Sequence, residues 1–213
     1  IRNDGDKPLL IGTGELIDSG GEVEFFNPAA NSKGFGSGGG FGAQKLDYIA
    51  FVSPRGSHAY APPLINGKPG AGYLAVGGAA GILLGDSNLL PLLLGGAEAF
   101  QKSKAAITIA PKKTITRAHF MAVGTGSVDS LSAPIWRARG VELRTVSGVV
   151  TSAGKPVAGA RISAIFKGAA HTQVRTGADG KFALQLPKGG GWTLLGYHTG
   201  FGMTESIDVG ESE

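Results

Sequence analysis

Cysteine is missing from all 213 residues. Its absence excludes a disulfide framework and any cysteine-ligated zinc or iron centre, while leaving the compartment open. Charge is scarce as well: Asp, Glu, Lys and Arg make up 17% of the chain and balance at a formal +4. With 42% hydrophobic residues beside so little charge, intrinsic disorder is excluded. No apolar run reaches the about 20 residues of a membrane helix. The longest, residues 72–84, spans 13, contains several glycines and stops at Gly85-Asp86-Ser87-Asn88. It predicts paired buried strands and no membrane span.

Catalytic signatures are equally sparse. His58, His119, His171 and His198 stand more than five residues apart, with no H-x-H or H-E-x-x-H pair to seat a metal. There is no G-x-S-x-G nucleophile turn. Gly12-Thr13-Gly14-Glu15-Leu16-Ile17 begins like a dinucleotide loop but carries Ile17 where the third glycine belongs. It also leads into a strand rather than a phosphate-holding helix. The glycines at 34–42 lack a following Lys-Ser or Lys-Thr. The expected sets of catalytic, cofactor-binding and metal-binding residues are therefore empty, and no cofactor is expected.

What the chain has in excess is turn formers. Glycine (37) and proline (11) reach about double their usual share without a collagen period. Glycine this dense excludes a helical bundle, since each one costs a helix interior about 1 kcal/mol. An all-β chain remains. Strands are predicted over 7–16, 21–26, 46–53 and 58–64, the last at a sheet edge because of its two prolines. A glycine-rich loop fills 27–42. Asn66-Gly67 marks a tight turn. Residues 105–110 and 114–123 alternate around Pro111-Lys112-Lys113, predicting a hairpin. Residues 127–139 form the best helix, with a Ser start, an early Asp, terminal arginines and Gly140 beyond, against an interior Pro134. From Val146 onward five short strands (146–151, 160–166, 171–176, 181–186, 192–198) and regular turns indicate a small β-sandwich. The domain boundary falls near 140–145.

Charge is unevenly placed. Residues 1–24 hold six acids, and between Glu98 and Asp129 the only charges are Lys102, Lys104, Lys112, Lys113 and Arg117. No aromatic interleaves with these cations, as base stacking would require, so they read as solvated lysines guarding strand edges, and no nucleic-acid partner is expected. Two binding options stay open. Asp4, Asp6, Glu15 and Asp18 offer oxygen ligands for calcium, though their spacing does not match a twelve-residue calcium loop. Tyr48, Tyr60, Tyr73, Trp136, Trp192 and Tyr197 would build a glycan-binding face if exposed, and a core or cross-strand pairs if not.

Two stretches carry a family resemblance. Residues 147–209, through Ser147-Gly148-Val149-Val150, Gly154-Lys155-Pro156-Val157-Ala158-Gly159-Ala160, Thr176-Gly177-Ala178-Asp179-Gly180-Lys181-Phe182 and Leu186-Pro187-Lys188-Gly189, resemble a carboxypeptidase-regulatory-like, transthyretin-like domain. Gly190-Gly191-Trp192 departs from the family, which goes directly from a glycine to an aromatic residue. Residues 1–140 are similar to the β-rich region preceding that module in bacterial CehA/McbA-like metallohydrolases of the PHP type. Asn3-Asp4-Gly5-Asp6-Lys7-Pro8, Asp18-Ser19-Gly20-Gly21-Glu22 and the run from Phe120 to Val128 carry that likeness. It implies a partial large β-sandwich over 1–140 ending in a short helix, and a small β-sandwich over 145–213. It also implies export, and catalysis by a metal domain outside these residues.

The opening Ile1-Arg2-Asn3-Asp4, with neither initiator Met nor signal peptide, is expected of a processed or truncated product. A preceding segment or another chain would then complete the first sandwich. The leading expectation is a non-catalytic accessory module; a cell-surface or filament subunit joined by strand complementation and a carbohydrate-binding module stand beside it. A polysaccharide or the cell surface would be the outside partner.

Overall fold

The computed structural model describes residues 1–12, 14–18, 23–28, 34–35, 44–45, 47–53, 55–62, 64–65, 68–69, 71–76, 79–84, 96–99, 101–102, 106–116 and 118–210; for most of 64–84 only the backbone is described. The fold is all-β and sandwich-like, built from several antiparallel sheets. Backbone contacts divide it into two compact units. One comprises Ile1–Val23, Gly39–Ile49 and Tyr60–Met121; the other comprises Glu24–Gly38, Ala50–Ala59 and Ala122–Glu213.

In the first unit, Leu9–Gly12 pairs with Ala106–Ile109. The chain just before it is anchored by Asn3, whose Nδ2 donates to the carbonyls of Lys7 and Ile109, each at 2.8 Å. Its backbone exchanges hydrogen bonds with Lys112 and Lys113. Among the described residues the predicted 105–110/114–123 hairpin does not form: Phe120–Gly124 joins another sheet. Lys112 turns at φ 60, and the N-terminal segment takes the place beside 106–115 that the sequence reading gives to 114–123.

A second sheet runs in the order Gly14–Asp18, Ala79–Leu84, Ala71–Val76, Gln44–Lys45. Its central hairpin pairs Val76 with Ala79, so the long apolar run folds as paired strands. Leu64 and Ile65 pair with Pro69 and Lys68 around Asn66-Gly67, whose own residues lie outside the described set. So does most of the 27–42 loop.

A four-stranded sheet, most of it in the second unit, runs Phe120–Gly124, Gly56–Ala61, Ile49–Ser53, Glu24–Phe26. Gly56–Ala61 is thus an interior strand, not an edge. Pro62 falls just beyond its last residue, where its missing N–H costs the ladder nothing.

The C-terminal sandwich sets the pair Leu143–Val149 and Lys181–Pro187 against a larger sheet in the order Ala169–Arg175, Arg161–Phe166, Trp192–His198, Gly202–Met203; Ile207–Asp208 also pairs with Trp192–His198. Alternation decides what goes inside. Ile162, Ala164 and Leu194 point to a core shared with Leu184, Leu186 and Trp192. Each large side chain buried there contributes about 1.5–3 kcal/mol.

The helix Asp129–Ala138 buries Leu131, Ile135 and Trp136, lies against the strands Leu143–Val149, Ala169–Arg175 and Lys181–Pro187, and brings the Trp136 ring 6.4 Å from that of Trp192. Its start is made by Ser127, whose Oγ accepts the Ser130 N–H at 3.1 Å. Its end is a Schellman closure, with Gly140 N–H on the Arg137 carbonyl and Val141 N–H on that of Trp136. The sequence reading sets this helix at the end of the first domain. Its apolar face instead packs on strands of the sandwich, and it belongs to the second unit.

Candidate binding pocket

The outward face of the larger sheet carries polar side chains in register. Strand pairing aligns Arg175, Arg161, Tyr197 and Met203 in one row, and Gln173, Ser163 and Leu195 in the next. Every one is an odd-numbered residue, on the face opposite Ile162, Ala164 and Leu194, as the two-residue period demands. Yet Ser163 and Gln173 are only 7% and 6% exposed. Something covers them.

Phe35 contributes to that cover. It forms an isolated bridge with Phe26, and the two rings meet edge-on at 5.1 Å. Asn27 N–H donates to the Gly34 carbonyl at 2.8 Å. Gly34 itself adopts φ 72 and lies so close to the Phe26 ring that a Cβ there would fall 2.1 Å from it. Only glycine fits both demands. The Arg161 guanidinium lies 4.8 Å over the Phe35 ring, a cation–π contact. Its Nη2 also donates to Glu24 Oε1, while Arg175 approaches Glu24 Oε2 at 3.5 Å.

The result is a pocket of about 220 Å³. Phe35, Arg161, Tyr197, Met203 and Leu195 line it, and the nearly buried Ser163 and Gln173 make its floor. Gln173 Nε2 donates to Ser163 Oγ at 3.3 Å.

The residues named from sequence are distributed quite differently. Tyr48, Tyr60, Trp136 and Trp192 are buried, so they are core and not a glycan face. The side chain of Tyr73 lies outside the described residues. Of the five whose side chains are described, Tyr197 is the exposed one, and it lines the pocket. Of the four carboxylates named for calcium, Asp4 pairs with Arg2 at 2.7 Å and Asp6 with Lys112 at 3.1 Å, both at the exposed surface. The side chains of Glu15 and Asp18 are outside the described set. Each histidine sits beside its own aromatic partner: His58 on Phe51, His119 on Tyr60, His171 near Phe166 and Trp192, His198 on Phe201. Among the described residues no three His, Asp or Glu side chains gather where a metal would sit. Among the described residues no helix is long and apolar enough to cross a membrane.

One carboxyl is strongly perturbed. Burial raises Asp129 to a pKa of about 6, against the lowering effects of the Gln185 backbone N–H and of Arg137. It accepts that N–H at 2.8 Å, and Arg137 Nη2 donates to Gln185 Oε1 at 3.3 Å. The group ties the helix to the strand Lys181–Pro187, a structural role that accounts for its burial.

Of the lining residues the sequence reading names Tyr197 and misses the others. The signal for Arg161, Ser163 and Gln173 is their polar character at alternate strand positions. Glu24 and Phe35, more than a hundred residues away, gave no local sign. Set beside known protein families, curated proteins and solved structures, the chain finds no match.

Proposed function

We propose that this chain is a non-catalytic β-sandwich module of an exported protein, serving as scaffold or accessory to a metal-dependent hydrolase domain that lies outside these residues. The observation that carries this reading is what the motif residues do. Gly180 turns at φ 74, and a Cβ there would fall 2.5 Å from the Val150 carbonyl oxygen. Val157, Ala160 and Leu186 are buried, and Phe182 packs against the same core. Thr176 Oγ1 donates to the Val157 carbonyl at 2.6 Å and accepts the Ala160 N–H at 2.9 Å. These residues of the resemblance to a regulatory-like domain are thus occupied with turns and packing, which supports a module whose motif serves the fold. The coding sequence beyond Glu213 tests the hydrolase link. A frame that continues into a histidine- and carboxylate-rich motif is expected; a frame that stops without one removes the link.

A second reading, assembly by strand addition, draws on Phe120–Gly124. Among the described residues it ends its sheet, and it exposes Met121 (57%) and Val123 (84%). Light scattering across a concentration series decides it: growth in mass favours assembly, and a constant monomer mass rejects it.

A further inference from the structure

We infer that the Phe35–Tyr197 pocket is a binding site for a single neutral sugar ring. The inference goes beyond the accessory reading, which stands or falls independently of it.

Size sets the first limit. At about 220 Å³ the cavity lies below the roughly 300 Å³ at which drug-sized pockets begin, so it takes one ring. Chemistry sets the second. The floor is polar and nearly buried, yet its hydrogen-bonding capacity is only partly used. Gln173 spends one N–H on Ser163 Oγ. Among the described residues the Ser163 hydroxyl proton and Gln173 Oε1 have no protein partner, so the floor offers a donor and an acceptor to whatever enters.

An apolar side chain filling the pocket would strip water from both groups and return nothing. An anion fares no better. Arg161 is held on its face by Phe35 and at its fork by Glu24, and Arg175 shares the same carboxylate. A charge entering here would also be desolvated against Phe35, Leu195 and Met203. A pyranose satisfies both halves. Its C–H face lies on the exposed Tyr197 ring, and its hydroxyls exchange hydrogen bonds with Ser163 and Gln173.

The wall is assembled before any ligand arrives. Gly34 packs against Phe26, Phe26 meets Phe35, Phe35 lies under Arg161, and Arg161 bonds Glu24. Such preorganisation lowers the ordering cost of binding. A single ring with few polar contacts still binds only in the millimolar range.

The test is amide chemical-shift titration of the full chain with methyl glycosides of glucose, galactose, mannose and N-acetylglucosamine, run beside N-acetyl-phenylalaninamide and inorganic phosphate. At least one glycoside is expected to give saturable millimolar shifts centred on Ser163, Gln173, Leu195 and Tyr197. Tyr197→Ala and Gln173→Ala should each weaken that binding at least tenfold, whereas Tyr197→Phe, which keeps the stacking face, should stay within about twofold. The same spectra report that each variant is folded. Saturable shifts from no glycoside, or equal or larger shifts from the phenylalanine amide or phosphate, would overturn the inference.

Discussion

The Asp129 carboxylate accepts the backbone N–H of Gln185 across the seam between helix and sandwich, at 2.8 Å. Because burial raises this carboxyl to about 6 from 3.8, the folded chain holds a proton that the unfolded chain has already released. Stability therefore falls as pH rises from about 4 to about 6 and is flat above that. Asp129→Asn keeps the acceptor and removes the charge. We expect it to stabilise the second unit at pH 7.5 by up to ~3 kcal/mol and to be near neutral at pH 4. Both tryptophans, Trp136 and Trp192, lie in that unit, so urea unfolding followed by tryptophan fluorescence reads it directly.

Gly34→Ala tests the cover of the pocket. The added methyl meets the Phe26 ring at 2.1 Å in a left-handed backbone, so Phe26 or the bridge to Phe35 must give way. A loss of about 1–3 kcal/mol is expected, with changed amide shifts at Ser163 and Gln173. Unchanged shifts there would mean that Phe35 does not cover the floor.

Glu24→Gln leaves Arg161 and Arg175 without their shared carboxylate. Arg161 is 22% exposed and Glu24 45%, so the pair is partly screened and its loss should cost about 1 kcal/mol or less. The sharper sign is salt dependence. The wild-type stability should fall slightly on raising NaCl to 1 M, and that of the variant should not.

Leu186→Ala removes a fully buried side chain from the sandwich core. The expected cost is about 2–5 kcal/mol, read as a shift of the fluorescence-detected urea midpoint.

The C-terminal sandwich was largely legible because its signals are local. The strand Trp192–His198 agrees residue for residue, and the helix Asp129–Ala138 lies inside the predicted 127–139, closed by the Ser127 side chain before it and the Gly140 backbone after it. What the sequence hid is long-range pairing. Residues 105–110 and 114–123 look like one hairpin by alternation, but period-two patterning says which face is buried and nothing about which strand lies alongside. Asn3 decides that question by bonding to Lys7, Ile109, Lys112 and Lys113. The pocket is split the same way. Alternating polar residues at 161, 163 and 173 are a local sign of its sheet side that the sequence reading passed over, while Glu24 and Phe35 arrive by tertiary folding alone.

The most direct test of the non-catalytic reading combines metal analysis with an activity assay on this 213-residue chain. The protein, equilibrated with zinc, manganese or calcium and then desalted, is assayed against phosphomonoester and phosphodiester substrates. Substoichiometric metal and no turnover above the buffer rate are predicted. One equivalent of tightly held metal, with turnover that EDTA abolishes and the same metal restores, would contradict the account.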